Sequence, residues 1–151
     1  MKTVLSVCGN AKHAISDYHL VTTKNGEVSM SVNVVWFEIP SINFERAVTF
    51  YESVFQITLH RENIGGAMAM FPANEGQAGG AIVEAHPDYV PSATGAVIYL
   101  NGGENLAPLL ARARDAGGAV LVPKTALPPG MGHFAHLQDS EGNRVGLHSM
   151  Q

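Results

Sequence analysis

The chain has very little cysteine, since Cys8 is the only one among 151 residues. A single thiol excludes a disulfide within the chain and any zinc site built from several cysteines. Charge is scarce too: Asp, Glu, Lys and Arg make up 15% of the residues, with 9 basic side chains against 13 acidic ones. A net charge of −4 without a basic block argues against nucleic acid as a partner.

Long apolar runs are also missing. No stretch approaches the roughly 20 apolar residues that a membrane-spanning helix needs, so we expect no membrane partner. The apolar start, residues 3–8, is shorter than the core of a secretory leader, and we therefore expect a cytoplasmic protein. Hydrophobic residues nevertheless make up 46% of the chain, which is enough for a packed domain.

Residues 1–30 differ from the rest of the chain and are interpreted as an N-terminal extension. Asn25-Gly26 is a strong turn signal, because both residues tolerate positive φ. Residues 18–23 and 27–34 could therefore form a hairpin, and the alternative is a mobile tail. The domain proper is then 31–151.

The domain repeats one pattern of elements. In the first copy, 31–90, β-branched and aromatic residues predict a strand that stops at Pro40. Asn43 can cap the helix that follows, with apolar residues at helical spacing as far as Phe55. The predicted strands of this copy are 32–39, 57–62, 67–71 and 79–85.

The second copy, 91–151, has the same order. Asn105 can cap its helix, and Gly117 and Gly118 end it. The predicted strands are 95–101, 119–122, 133–138 and 143–148. The pattern therefore predicts an α+β fold of two βαβββ modules, each with one helix covering one face of a four-stranded sheet.

Several short motifs carry a resemblance to a known family. They are Phe37-Glu38-Ile39-Pro40, then Glu45-Arg46-Ala47 and Phe50-Tyr51 on the first helix, and Asp139-Ser140-Glu141-Gly142-Asn143-Arg144 before the last strand. On these motifs, residues 32–149 resemble the vicinal oxygen chelate superfamily, which includes glyoxalase I, bleomycin-resistance proteins and extradiol dioxygenases. The resemblance implies that the two modules form a cup-shaped sheet, that the cup binds a small molecule, and that the chain forms a homodimer.

The resemblance also implies where a divalent ion would bind. Metal-using members take four ligands from the first and last strands of each module, and these positions fall here on Trp36, Glu84, Ala96 and Gly146. Only Glu84 carries a donor, whereas a catalytic zinc site needs about three protein ligands. We therefore expect no cofactor and no metal at the usual position.

A displaced site is the alternative. If Trp36 and Gly146 face the cup, Glu38 and His148 face it too, because side chains alternate along a strand. A four-residue turn at 139–142 would pair His133 with His148 on that face, leaving His136 toward the helix or solvent. Glu38, Glu84, His133 and His148 could then converge as a metal or acid–base site. In that site, Glu38, His133 and His148 are the catalytic candidates.

The main functional hypothesis is a protein that binds a small organic molecule, with or without turnover. Its expected binding residues are Trp36, Phe71, Ile98 and Leu100 as apolar walls, and Glu38, Glu84, His133 and His148 as polar contacts. Other interpretations are that Trp36 only fills the vacated metal space, and that Glu38 only pairs with Arg46 or Arg144. The alternative functions are a metal-dependent lyase, isomerase or dioxygenase with shifted ligands, and a non-catalytic antibiotic-sequestering or scaffold module.

Overall fold

The computed structural model describes residues 20–22, 28–30 and 33–151. Strands β1 (Leu20–Thr22) and β2 (Val28–Met30) pair antiparallel, with Leu20 opposite Met30. Both strands fall within the segments predicted to form a hairpin. The expected Asn25-Gly26 turn and the other residues of the extension, including those of the predicted tail, lie outside the described residues.

The first module follows the predicted order and forms a four-stranded sheet. Its first strand lies parallel to its last, with Trp36 opposite Gly79, so the strand order is β3-β6-β5-β4. The elements are β3 (Trp36–Ser41), α1 (Phe44–Phe55), β4 (His60–Asn63), β5 (Ala67–Met70) and β6 (Gly79–Glu84).

The second module has the same topology, with strand order β7-β10-β9-β8 and β7 parallel to β10. Its elements are β7 (Ile98–Asn101), α2 (Leu106–Asp115), β8 (Ala119–Ala126), β9 (His133–Gln138) and β10 (Arg144–Ser149). The predicted α+β fold of two βαβββ modules is therefore confirmed.

Both predicted helix caps are confirmed. The Asn43 side chain accepts a hydrogen bond from the Arg46 amide at 3.0 Å, and the Asn105 side chain accepts one from the Ala107 amide at 3.0 Å. Each bond satisfies an amide that has no partner within its helix. The second helix stops before Gly117, whose φ of 93° suits glycine.

Most strand boundaries differ from the prediction by one to four residues, and a proline is involved in two of them. Pro40 lies inside β3 instead of ending it, because β3 is the edge strand of its sheet and needs no amide on its outer side. Strand β8 runs on to Ala126 through Pro123, and its pairing with β9 shifts register between Val122 and Thr125. Such an irregularity lets an edge strand include a proline.

The two modules share one hydrophobic core. The helices pack against each other, and Arg112 of α2 donates from Nε to the Val54 carbonyl of α1 at 2.7 Å. Fully buried side chains from both modules, including Tyr51 and Leu106, belong to a single cluster. The helices therefore cover one face of each sheet, and we call the other face of each sheet its open face. No helix of the described part of the chain has the length and apolar run needed to cross a membrane.

The 139–143 turn, between β9 and β10, joins the second module to the first. Glu141 is completely buried, and its Oε2 accepts hydrogen bonds from the Ile42 amide at 3.0 Å and the Asn43 amide at 2.9 Å. Its Oε1 accepts one from Arg46 Nε at 2.8 Å. Asn143 donates from Nδ2 to the Pro40 carbonyl at 2.9 Å. The turn thus caps the N-terminus of α1 with a carboxylate from the other module.

Asp139 organises this turn from within. The carboxylate accepts hydrogen bonds from the Tyr51 hydroxyl at 2.7 Å, the Asn143 side chain at 2.9 Å, and the amides of Glu141 and Asn143 at 2.9 and 2.8 Å. Burial, together with the charge of Asp139, raises the pKa of the Tyr51 phenol well above its ordinary value. Tyr51 therefore remains a hydrogen-bond donor at any ordinary pH.

Candidate functional site

Strand register decides which side chains of the first sheet reach its open face. Ile39 is buried in the core with Ile82 of the neighbouring strand, and side chains alternate between the two faces along a strand. Trp36 and Glu38 have the opposite parity to Ile39 and therefore lie on the open face. Glu84 pairs with Ser41, which has the opposite parity to Glu38. The expectation that Glu84 converges with Glu38 is therefore wrong, since the two carboxylates belong to opposite faces.

Trp36 and Glu38 interact with each other on this face. The indole Nε1 donates to Glu38 Oε1 at 3.3 Å, and 42% of Trp36 is exposed. A Cβ placed on Gly79 would lie 2.8 Å from the indole ring, so the ring lies across that glycine. Among the described residues Glu38 forms no ion pair, and Arg46 binds Glu141 instead. The carboxylate of Glu38 is therefore available to a ligand.

The 139–143 turn changes the predicted register of the second sheet. Asp139 donates its amide to the Asn143 carbonyl at 3.0 Å, and Arg144 lies opposite Gln138. The turn therefore has five residues and not the four residues 139–142 that the prediction assumed. One extra residue shifts the pairing by one and exchanges the two faces.

The exchange affects the histidines. His148 lies opposite Phe134 and His133 opposite Ser149, so the predicted pairing of His133 with His148 is wrong. His133 has the parity of the core-facing residues of β9. His136 has the opposite parity to His133, as predicted, but it lies on the open face and not on the helix side.

A hydrogen-bonded pair of Tyr99 and His136 crosses the open face of the second sheet. Both residues lie opposite Gly146, on the strands that flank it. The Tyr99 hydroxyl lies 2.6 Å from His136 Nε2, and the two rings meet edge to face with centroids 5.4 Å apart. A Cβ on Gly146 would lie 2.6 Å from the Tyr99 ring. The glycine therefore allows the tyrosine to reach across β10 to the histidine.

The electrostatics of this face favour a neutral His136. Burial lowers the pKa of its imidazole, and the positive charge of Arg144 lowers it further. His136 Nδ1 is buried and has no hydrogen-bond partner among the described residues, and the same is true of Arg144 Nε. The open face thus carries a guanidinium and an imidazole that the fold leaves partly unsatisfied.

His148 also has the parity of the open face, but its imidazole is engaged. Its Nε2 lies 2.7 Å from the Met131 carbonyl, in the loop that connects β8 to β9. This contact fixes the loop against β10. His148 is therefore placed to hold the loop, and its role in binding stays a prediction.

Three of the predicted apolar walls, Phe71, Leu100 and Ile98, do not lie on the open faces. The Phe71 ring packs in the core, with its centroid 5.4 Å from that of Tyr51 and 5.7 Å from that of Phe37. Leu100 packs against the same core. Ile98 has the parity of Leu100, so it does not lie on the open face of its sheet, but it lines the cavity described next.

A cavity of about 290 Å³ lies at the seam between the modules. Glu38 and Arg144 both line it, together with apolar and small polar side chains of β3, β7, β10 and the connection between the modules. Tyr89 of that connection donates its hydroxyl to the Glu38 carbonyl at 2.7 Å. This volume lies just below the range of about 300–1,000 Å³ for small-molecule sites.

The residues at the family's usual metal positions do not fit a metal ion. Trp36 and Gly146 lie on the open faces, but neither has a donor, and the Tyr99 ring occupies the space above Gly146. Glu84 has a donor but belongs to the other face, and Ala96 has none. In the part of the chain that the structure describes, no three His, Cys, Asp or Glu side chains come together as a metal site would require.

The sequence analysis missed Tyr99 and the position of Arg144 in the lining of the seam cavity. Tyr99 lies in a predicted strand, but nothing in that strand marks it as a site residue. What marks it is its position opposite Gly146, and that pairing is known only from the strand register. Arg144 was considered only as a partner of Glu38. A basic residue at the start of a strand gives no sign of whether a carboxylate lies near it.

Comparison with solved structures finds the same fold in several proteins. A hypothetical protein from Staphylococcus aureus, SA1046, superposes with a TM-score of 0.61 at 17% identity, covering 79% of this chain and 95% of that one. A glyoxalase/bleomycin resistance protein from Streptomyces sp. CB03234 gives 0.57 at 23% identity, over 76% and 97%. TnmS3, described as an antibiotic binding protein from the same organism, gives 0.57 at 23% identity, over 79% and 96%.

A search of curated proteins finds no significant match. A family model described as Glyoxalase/Bleomycin resistance protein/Dioxygenase superfamily matches residues 33–147, which include every helix and strand of both modules except the end of β10. The resemblance inferred from the motifs, the paired βαβββ topology and this match agree. The chain belongs to the Glyoxalase/Bleomycin resistance protein/Dioxygenase superfamily.

Proposed function

We propose that this protein binds a small, flat organic molecule at the seam between its two modules. The observation that carries the proposal is the seam cavity, because it combines apolar walls with two charged side chains, Glu38 and Arg144, that form no ion pair with any other described residue. The exposed indole of Trp36, bonded to Glu38, adds an aromatic surface next to the cavity. Apolar walls with a few polar groups are typical of ligand sites.

Binding without the family's chelated metal is part of this proposal. It is supported by the missing donors at Trp36, Ala96 and Gly146 and by the Tyr99 ring above Gly146. Sequestration of an aromatic antibiotic is one form that such binding could take, and TnmS3 is described as an antibiotic binding protein. A cytoplasmic location also belongs to the proposal. A single cysteine can form no disulfide within the chain, so the fold does not depend on an oxidising compartment.

We further propose that the protein is a homodimer. Strands β3 and β7 are edges of their sheets in the described part of the chain, and Val34 and Val35 are exposed just before β3. A second copy would bury this apolar surface, and twofold pairing is the commonest arrangement. Sedimentation at micromolar concentration should therefore give twice the mass of 16.0 kDa. A monomer at that concentration would remove this part of the proposal.

Trp36 provides the test of binding, because it is the only tryptophan and so the only source of indole fluorescence. We expect 4-nitrobenzamide, a flat neutral quencher, to reduce the Trp36 emission with a saturable curve. Ala96→Phe, which places a ring in the seam cavity, should weaken this binding at least about fivefold, since the cavity is small.

The matched control is Ala107→Phe, at an exposed position of α2 far from the cavity lining. This variant should bind 4-nitrobenzamide as the unmodified protein does. Purely linear quenching, of the kind given by free N-acetyltryptophanamide, would contradict the proposal. So would binding that Ala96→Phe leaves unchanged.

A further inference from the structure

We propose that Arg144 is a carboxylate-binding residue, and that the protein therefore selects small aromatic acids over their neutral analogues. The inference rests on the proposed small-molecule site and assigns its chemical class. Three observations carry it: a guanidinium without a partner in the described part of the chain, the Tyr99–His136 pair beside it, and the cavity that Arg144 shares with Glu38.

The first observation is the isolation of the Arg144 side chain. Arg46 and Arg61 pair with carboxylates, and Arg112 donates to a backbone carbonyl. Arg144 is half-buried, yet its guanidinium forms no ion pair or hydrogen bond among the described residues, and its Nε is buried. A buried donor without a partner is costly, so such a group points to a ligand that completes it. The planar guanidinium matches a carboxylate with two parallel hydrogen bonds.

The second observation is the position of Arg144 relative to the Tyr99–His136 pair. Arg144 lies two residues before Gly146 on β10, and Tyr99 and His136 flank that glycine. The guanidinium is close enough to lower the pKa of His136. The Tyr99 ring is 51% exposed, and the Phe134 ring lies edge to face with His136 at 5.7 Å. The anion site thus adjoins aromatic surface that can hold the ring of an aromatic acid.

The third observation is the charge balance of the seam cavity. Glu38 and Arg144 line the same space without forming an ion pair, so neither neutralises the other by direct contact. A ligand carboxylate would be attracted by Arg144 and repelled by Glu38. Removing the two charges in turn should therefore change the affinity for an anion in opposite directions.

The test compares two ligands of nearly the same shape, 4-nitrobenzoate and 4-nitrobenzamide, by quenching of Trp36. We expect the acid to bind at least about tenfold more tightly than the amide, because a charge-assisted pair of hydrogen bonds replaces a neutral contact. Arg144→Gln should remove this preference without removing the binding of the amide. Glu38→Gln should strengthen the binding of the acid. The matched control, Arg114→Gln, makes the same charge change at an exposed position of α2 and should leave the preference unchanged.

A second readout separates direct binding from a structural role of Arg144. A bound carboxylate offsets the charge of Arg144, so the pKa of His136 should rise when 4-nitrobenzoate binds and stay constant with 4-nitrobenzamide. NMR titration of the His136 ring measures its pKa with each of the two ligands.

Equal affinity for acid and amide, or a preference that survives in Arg144→Gln, would overturn the inference while leaving the proposed function intact. Tighter binding of 4-nitrophenyl phosphate than of the acid would overturn the assignment to carboxylates. If neither acid nor amide gave saturable quenching, the proposed function itself would fail.

Discussion

Asp139→Ala is expected to lower the free energy of unfolding by at least about 3 kcal/mol. Asp139 is 3% exposed, and its carboxylate accepts four hydrogen bonds, from Tyr51, Glu141 and twice from Asn143. Each buried donor left without an acceptor costs about 1–3 kcal/mol, and this substitution removes the acceptor of all four donors. Urea denaturation at neutral pH measures the change.

Two variants show whether the hydrogen bonds are responsible. Tyr51→Phe removes one donor and leaves Asp139 three, so its cost should be about 1–2 kcal/mol. Asp88→Ala removes a carboxylate whose side chain is 93% exposed and should stay within about 0.5 kcal/mol of the unmodified protein. If Asp139→Ala were as mild as Asp88→Ala, the 139–143 turn would not hold the modules as described.

Glu141→Gln is expected to cost about 2 kcal/mol at pH 7 and to lose that cost in acid. The carboxylate accepts from two amides at the start of α1 and from both Nε and Nη2 of Arg46. An amide has one oxygen to offer and presents its NH₂ group to the remaining donors. Hydrogen bonds to a charged group contribute about 1.5–3 kcal/mol, which sets the size of the effect.

The sign of the pH dependence follows from the pKa of Glu141. Burial works to raise this pKa, but the hydrogen bonds from Arg46, the Asn43 amide and Ser140 together leave it below the ordinary value of 4.5. A carboxyl whose pKa is lower in the folded state stabilises the fold above its unfolded pKa. This stabilisation disappears as the pH falls below about 4.5 and through the folded pKa.

The measurement is the difference in unfolding free energy between the unmodified protein and Glu141→Gln, taken at pH 7 and at several lower values. The difference should shrink steadily below about pH 4.5. Glu104→Gln, at an exposed position without a hydrogen bond among the described residues, provides the control, and its difference should stay near zero throughout. A difference for Glu141→Gln that does not change with pH would show that the charge of Glu141 is not what stabilises the turn.

Local features of the fold were predictable because their causes are local. Asn43 and Asn105 cap the two helices as expected, since the capping bond joins a side chain to an amide two or three residues away. The repeated order of elements was predictable for the same reason, because it follows from the periodicity of short segments. The ends of β3 and β8 were harder, because a proline stops a strand only where its missing amide would have had a partner.

The site was less predictable because it depends on register. Alternation along a strand shows which side chains share a face, but not which face it is. A single extra residue in the 139–143 turn placed His136 on the open face and His133 on the other. The extra residue is Asn143, whose side chain bonds to Pro40, more than a hundred positions earlier. No local pattern in the sequence could reveal that contact.

The 139–143 turn also affects the order in which the parts of the protein can fold during synthesis. The helix α1 leaves the ribosome early, but the carboxylate that caps it belongs to Glu141, which follows it by about a hundred residues. Until that residue emerges, the amides of Ile42 and Asn43, just before α1, and the guanidinium of Arg46 lack their partner. The first module is therefore synthesised before all of its contacts can form. We expect it to stay incompletely folded on the nascent chain until the last hairpin has been synthesised.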